Sequence, residues 1–216
     1  MATTAATHDN AKDNLMFMQD IAKLTTAFSL VAPRRATVVP APVLRGIVAG
    51  TLVEGEAGWI AAEDLRIGDR LQTLDGGLAR IQGLDCRLLG VEAETSLIHV
   101  PGGCFDACSD LWLVPGQHVL MDTVQDINLT APYVLVPATA LTVDASVRHS
   151  FPQKAVQIIM PLFADEEIIF ANSGVMLHCP SVIDGAGRYP DASFFPRLDA
   201  TSARSFLLGR DMRLVG

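Results

Sequence analysis

The sequence predicts an all-β domain, and three observations carry that expectation. From Leu44 onward, apolar residues recur at every second position or in short β-branched runs. Turn chemistry separates those runs at close intervals: Gly68-Asp69, Asp75-Gly76-Gly77, Pro101-Gly102-Gly103, Pro115-Gly116 and Ser173-Gly174. Helical periodicity is confined to the two ends of the chain. Many short strands with few helices read as a sandwich or barrel-like fold built on non-local pairing.

The strand candidates are GIVAGTLV at 46–53, RLQTL at 70–74, SLIHV at 96–100, LWLV at 111–114, HVLM at 118–121, YVLV at 133–136, VQIIMPLF at 156–163 and EIIFA at 167–171. Between them, AAEDL at 61–65 and PATAL at 137–141 read as single helical turns. No fixed-period repeat is evident. Before the body, residues 11–31 place Leu15, Met18, Ile21, Leu24 and Phe28 three and four apart, which predicts an amphipathic helix. That helix is expected to pack on the domain or on a second copy, because Lys and Asp are mixed on its polar side and suit a membrane surface poorly. Pro33, Pro40 and Pro42 then predict an extended linker. After Asp199, DATSARSFLLGRDM predicts a short closing helix with Asp199 as its N-cap. The expected division is 1–43 for helix and linker, 44–181 for the β domain and 182–216 for a C-terminal extension.

Composition narrows the function classes. Half of the 216 residues are apolar and 19% are charged, with a mean hydropathy of +0.32, so a packed core is expected rather than disorder. The formal net charge is −8. Residues 1–45 carry five basic side chains against three acidic ones, which leaves −10 on the remainder. An acidic body argues against nucleic acid as a partner. Cys86, Cys104, Cys108 and Cys179 are too dispersed for a disulfide-stapled miniprotein. Asp9, Lys12, Asp13, Asp20 and Lys23 interrupt any signal-like apolar run, and no stretch has the length of a membrane span. The expectation is a soluble, cytoplasmic chain, with leaderless export left open.

Three stretches occur in a telling order. The first is GIVAGTLVEGEAGWIAAEDLRIGDRLQTLDGG at 46–77; the second is DLWLVPGQHVLM at 110–121; the third is VPATAL at 136–141 followed by VQIIMPLFADEEIIFANSG at 156–174. Together they resemble Hint domains, the hedgehog/intein class of self-processing modules, in their bacterial version. The resemblance covers roughly residues 44–181 and implies a Hint-like β fold, horseshoe or barrel-like, made of short strands. It also implies an activity: such domains break the peptide bond at their own first residue by an N-to-S or N-to-O acyl shift.

That shift needs a thiol or hydroxyl one carbon from the backbone, able to reach the preceding carbonyl through a five-membered ring. The family pattern sets a Cys four residues before the Gly of the Gly50-Thr51 pair, which places the nucleophile position at Gly46. Glycine has no side chain to supply it. The family histidine that protonates the departing amide nitrogen corresponds to His118, while the Thr three residues before it is Pro115. His118 therefore reads either as a remnant catalytic acid or as a histidine bonded within the core. Thr51 belongs to the opening block, and Asp69 reads as a turn cap more readily than as a base. Glu166-Glu167 stands where the family often has His-Glu, and His178-Cys179 lacks the Asn that intein splicing requires. Cys installed at position 46 is expected to restore thiol-dependent cleavage if His118 faces that bond.

Rival sites are weaker. Cys104 and Cys108 with His99 or His118 have a spacing that zinc tolerates, but no second close pair follows. Either cysteine as a nucleophile would need a base that sequence does not place. Asp165-Glu166-Glu167 alternates with apolar strand residues and reads as a solvated hairpin rather than a calcium loop. No phosphate-cradling glycine loop is present, and no cofactor or metal is expected. Three readings stay open: a non-cleaving Hint-type protein serving as a binding or structural module, an active self-processing domain with another nucleophile, and an unrelated β-rich binding protein. The partner is undetermined, apart from self-association through the N-terminal helix.

Overall fold

The short β-branched runs become strands because neither face of a run could be buried by a helix of that length, whereas pairing satisfies every second backbone group and buries one face. In the computed structural model the described residues are 44–91, 95–124, 129–183 and 193–214, with side chains described to 210. The expected helix at 11–31 and the proline linker lie outside them.

Fourteen strands are described: β1 (Ile47–Val48), β2 (Leu52–Gly55), β3 (Gly58–Ala61), β4 (Arg70–Thr73), β5 (Gly77–Arg80), β6 (Gly83–Leu89), β7 (Leu97–Val100), β8 (Leu111–Leu113), β9 (His118–Asp122), β10 (Tyr133–Pro137), β11 (Arg148–Ser150), β12 (Val156–Leu162), β13 (Glu167–Ala171) and β14 (Val175–Cys179). They form two antiparallel sheets. One runs β11-β7-β8-β1-β12-β6; the other runs β10-β9-β14-β13-β2-β4-β5 with β3 paired to β2. The two expected helical turns are 3-10 segments, Ala62–Asp64 and Ala138–Val143.

The main core is shared by both sheets and includes Ile47, Leu113, Val119, Val136, Ile159, Ile169 and Leu177. β1 is only two residues long, yet it sits inside its sheet between β8 and β12, pairing Ile47 with both Leu113 and Ile159. The residue before it, Gly46, is therefore fixed between two strands rather than trailing at an edge. The closing helix α1 (Ala200–Leu214) starts where expected: Asp199 Oδ1 accepts the N–H groups of Thr201 at 2.9 Å and Ser202 at 3.0 Å. Ala203, Phe206 and Leu207 of α1 join the main core. Arg210 anchors the helix to the end of β9 through Asp122 at 3.1 Å.

Two features of this framework position the site. On the outer face of the larger sheet, Leu120, Leu135, Ile168 and Phe195 form a separate small core. The segment at 194–198 lies across it, bonded to both backbone groups of Leu135, whose N–H donates to the Pro196 carbonyl and whose carbonyl accepts from Leu198. Asn172 ties the two sheets: its Oδ1 accepts from the Leu52 N–H at 3.0 Å and its Nδ2 donates to the Asp110 carbonyl at 3.0 Å.

Candidate functional site

Gly46 adopts φ +133°, a conformation that residues with a side chain rarely take. Its N–H donates to Gln117 Oε1 at 3.1 Å. A Cβ built on Gly46 would lie 2.6 Å from Ile158 Cγ2 and 3.1 Å from the Ile159 carbonyl oxygen. The room where a side chain would begin is thus held by β12.

Gln117 is 1% exposed and uses both ends of its amide. Nε2 donates to the carbonyl of His178 at 2.8 Å and to that of His118 at 3.1 Å. One buried side chain therefore joins the Gly46 amide to β9 and β14. A second link lies beside it, from the Gly116 N–H to the Leu44 carbonyl at 3.1 Å.

β9 and β14 pair Met176 with Leu120 and Leu177 with Val119, which sets His178 beside His118. Their rings meet edge to face at 6.3 Å. Burial, together with Arg45, His178 and Arg197, pushes His118 down to about 3 against a smaller opposing effect of the Gly116 backbone, so its ring is neutral, and among the described residues its buried Nδ1 makes no hydrogen bond of normal geometry. His178 is buried at 2% exposure and approaches Glu166 Oε1 through Nε2 at 2.8 Å. Burial would raise Glu166, but hydrogen bonds from His178, Ser193 and the Phe194 N–H outweigh it and bring the carboxyl to about 2. His178 is itself pushed down by burial. The pair is then a neutral imidazole whose Nε2–H donates to a carboxylate. Arg197 Nη2, 3.4 Å from that nitrogen and 3.8 Å from Glu166 Oε1, completes the charge balance at the carboxylate. Arg45 is lowered to about 10 by burial and by Arg197.

These shifts predict acid sensitivity. His118 is depressed in the folded chain, so the unfolded chain binds a proton that the folded one resists between pH 6.5 and about 3. The stabilisation is complete above pH 6.5 and declines as the pH falls. By pH 4.5 it has cost about 2–3 kcal/mol. Glu166 adds a loss of the same sign below its ordinary range. Denaturant midpoints measured from pH 7.5 to 4.5 are expected to fall for the native chain and to fall less for His118→Gln; parallel curves would contradict the assignment.

The other sequence candidates lie elsewhere. Thr51 is buried in the β1–β2 turn, where its N–H bonds the Val48 carbonyl at 3.1 Å and its carbonyl accepts from Ala62 at 2.9 Å. Asp69 Oδ2 accepts the Arg66 N–H at 2.8 Å and closes its own turn. Neither shares a described hydrogen bond with Gly46 or His118. Glu167 faces Thr73 instead of the cluster, raised by burial and by the neighbouring charges of Asp75 and Asp165. Of the rival cysteines, Cys104 Sγ meets Ser146 Oγ at 3.2 Å and Cys108 Sγ meets the Ser173 carbonyl at 3.8 Å, while His99 pairs with Asp110 at 2.9 Å. Among the described residues no three His, Cys, Asp or Glu side chains converge as metal ligands, and no described helix is long and apolar enough to cross a membrane.

Sequence reasoning singles out Gly46 and His118 but not Gln117, whose side chain bonds the backbone of both, nor Arg45, Ser193 and Arg197. The available signal for Gln117 was its place next to His118 at the start of an otherwise apolar strand. A family model described as the Hint domain matches residues 46–185. Among solved structures, the chain is similar to a GSH-linked, splice-inactive variant of the AceL NrdHF class 3 split intein, with 11% identity, 64% of this chain and 99% of that one covered, and a TM-score of 0.41. It is also similar to a bacterial intein-like domain from Clostridium thermocellum, with 15% identity, coverage of 62% and 99%, and a TM-score of 0.42. The MchDnaB-1 intein follows at 16% identity, coverage of 61% and 98%, and a TM-score of 0.38. A search of the curated proteins gives no match.

Proposed function

The chain belongs to the Hint domain family, and from that premise we propose that it is a non-cleaving member whose reaction centre now braces a binding or structural module. The observation that carries this reading is at Gly46. No thiol or hydroxyl is available there, and a nucleophile's first carbon would overlap Ile158 Cγ2 at 2.6 Å. The acyl shift that the family chemistry requires has no attacking atom.

The surrounding polar groups fit a brace. Gln117 spends all its described hydrogen bonds on backbone, linking the Gly46 amide to two strands. Glu166 collects three donors from β14 and the 193–194 segment. A buried network with its members paired rigidifies the backbone around it, and half-satisfying it is costly.

The reading is tested by expressing the chain with a tag at each end, as native sequence, Gln117→Ala and His118→Ala. All three are expected to keep both tags on one polypeptide, with Gln117→Ala less stable by about 1–3 kcal/mol because the Gly46 N–H and two carbonyls lose a buried partner. Separated tags in the native chain that stay on one polypeptide in His118→Ala would overturn the reading.

A further inference from the structure

We propose that a cavity of about 300 Å³ beneath the tip of the β13–β14 hairpin is a binding site for a small amphipathic amine, a protonated nitrogen on a short apolar body. This goes beyond the reading of Gly46 and does not depend on it. The cavity is walled by the 103–106 loop, β9, the end of the 3-10 segment Ala138–Val143, the tip of the hairpin and α1.

Its polar wall is anionic in a specific way. Asp106, Asp122 and Asp144 line it, with Arg210 as the one described cation. Arg210 is committed to Asp122, giving 3.1 Å to its Oδ2 and 3.0 Å to its carbonyl. Asp144 holds its Oδ1 toward Ser146, accepting the N–H at 2.8 Å and the O–H at 2.6 Å. These bonds hold its carboxyl below the usual carboxylate pKa range, so it is ionised at neutral pH. None of the described hydrogen bonds uses Asp144 Oδ2 or the Asp106 carboxylate. Two carboxylates therefore line the cavity with acceptors to spare, against a cation already matched.

The remaining wall is apolar and adaptable. Met121 and Met176 line it with Leu207 of α1, and methionine adjusts to ligands of varied outline. A volume of this size with a few polar groups on an apolar lining suits a small organic ligand. Charge and lining together select a cation with an apolar stem over a sugar or an anion.

The acidic side of the site is held in place before any ligand arrives. Phe105 and Asp106 are both in the left-handed region, at φ 48° and 63°. The loop is closed by Gly103 N–H to the Ala107 carbonyl at 2.7 Å and by Ala107 N–H to the Cys104 carbonyl at 3.0 Å. Gly174 permits this approach: a Cβ there would stand 2.0 Å from the Asp106 carbonyl oxygen. Holding the backbone that carries Asp106 in position lowers the ordering cost of binding.

The experiment is a titration of the full chain, carrying methyl-labelled methionine, with phenethylamine and separately with phenylacetate, which has a similar shape and the opposite charge. Saturable shifts of the Met121 and Met176 methyl signals are expected with phenethylamine at concentrations up to about 10 mM, and not with phenylacetate. Asp144→Asn keeps the Oδ1 acceptor for Ser146, and Asp106→Asn places a residue that tolerates the left-handed region. Each is expected to weaken the amine by about tenfold, while Asp64→Asn, on an exposed turn, leaves it unchanged. The proposal is overturned by no saturable shift, by an equal response to phenylacetate, or by undiminished binding in both Asp106→Asn and Asp144→Asn.

Discussion

Gly46→Cys alone is expected to leave the chain uncleaved in thiol and to lower its stability by about 3 kcal/mol. Two costs combine. The backbone at 46 sits at φ +133°, where a side chain is strained, and the new Cβ would fall 2.6 Å from Ile158 Cγ2. Ile158 is 1% exposed and paired with Val48 across β1 and β12, so it cannot swing into solvent. For a chain of this size the loss corresponds to a melting temperature lower by roughly 6–12 °C. Pairing Gly46→Cys with Ile158→Ala opens the occupied space and lets the backbone relax toward an ordinary strand. The double variant is therefore the one expected to yield a thiol-dependent fragment, since His118 is retained within the same hydrogen-bonded unit. Intact mass after incubation with dithiothreitol reads both variants. Cleavage by Gly46→Cys at the rate of the double variant would show that Ile158 is no barrier.

His178→Ala is expected to cost about 3–4 kcal/mol. The ring is 2% exposed and donates to Glu166 at 2.8 Å. Its removal leaves a cavity and withdraws a principal donor from a carboxylate only 15% exposed. Glu166→Gln is milder, because an amide still accepts from His178 and Ser193 while removing the charge that Arg197 faces. Urea unfolding checks the pair: a loss for His178→Ala no larger than for an exposed histidine such as His149 would contradict the brace.

The strands and the fold class were legible because alternation and turn residues are local signals. HVLM, YVLV and EIIFA became β9, β10 and β13 close to their expected limits. GLARI and GLDCRLL were not marked as strands, since β5 and β6 carry polar residues on exposed faces and gain their order only from pairing with β4 and β12. VMLHC is not among the strand candidates, yet β14 lies inside its sheet, between β9 and β13. The site divides along the same line. Position 46 could be counted from Gly50-Thr51, and His118 from its place on the second block. What links them is a side chain 71 residues away from Gly46, and separation of that kind leaves no periodic trace. The occupation of the Gly46 space by Ile158 is likewise a property of register between β1 and β12, not of either segment's composition.

Hydroxylamine treatment of the purified 23.1 kDa chain, followed by intact mass, addresses the absence of cleavage at Gly46 most directly. An ester or thioester formed by any internal nucleophile would be trapped as two fragments, whatever residue attacked. A single full-length mass, unchanged by hydroxylamine or dithiothreitol, is the predicted result. A fragment whose first residue is Gly46 would contradict it.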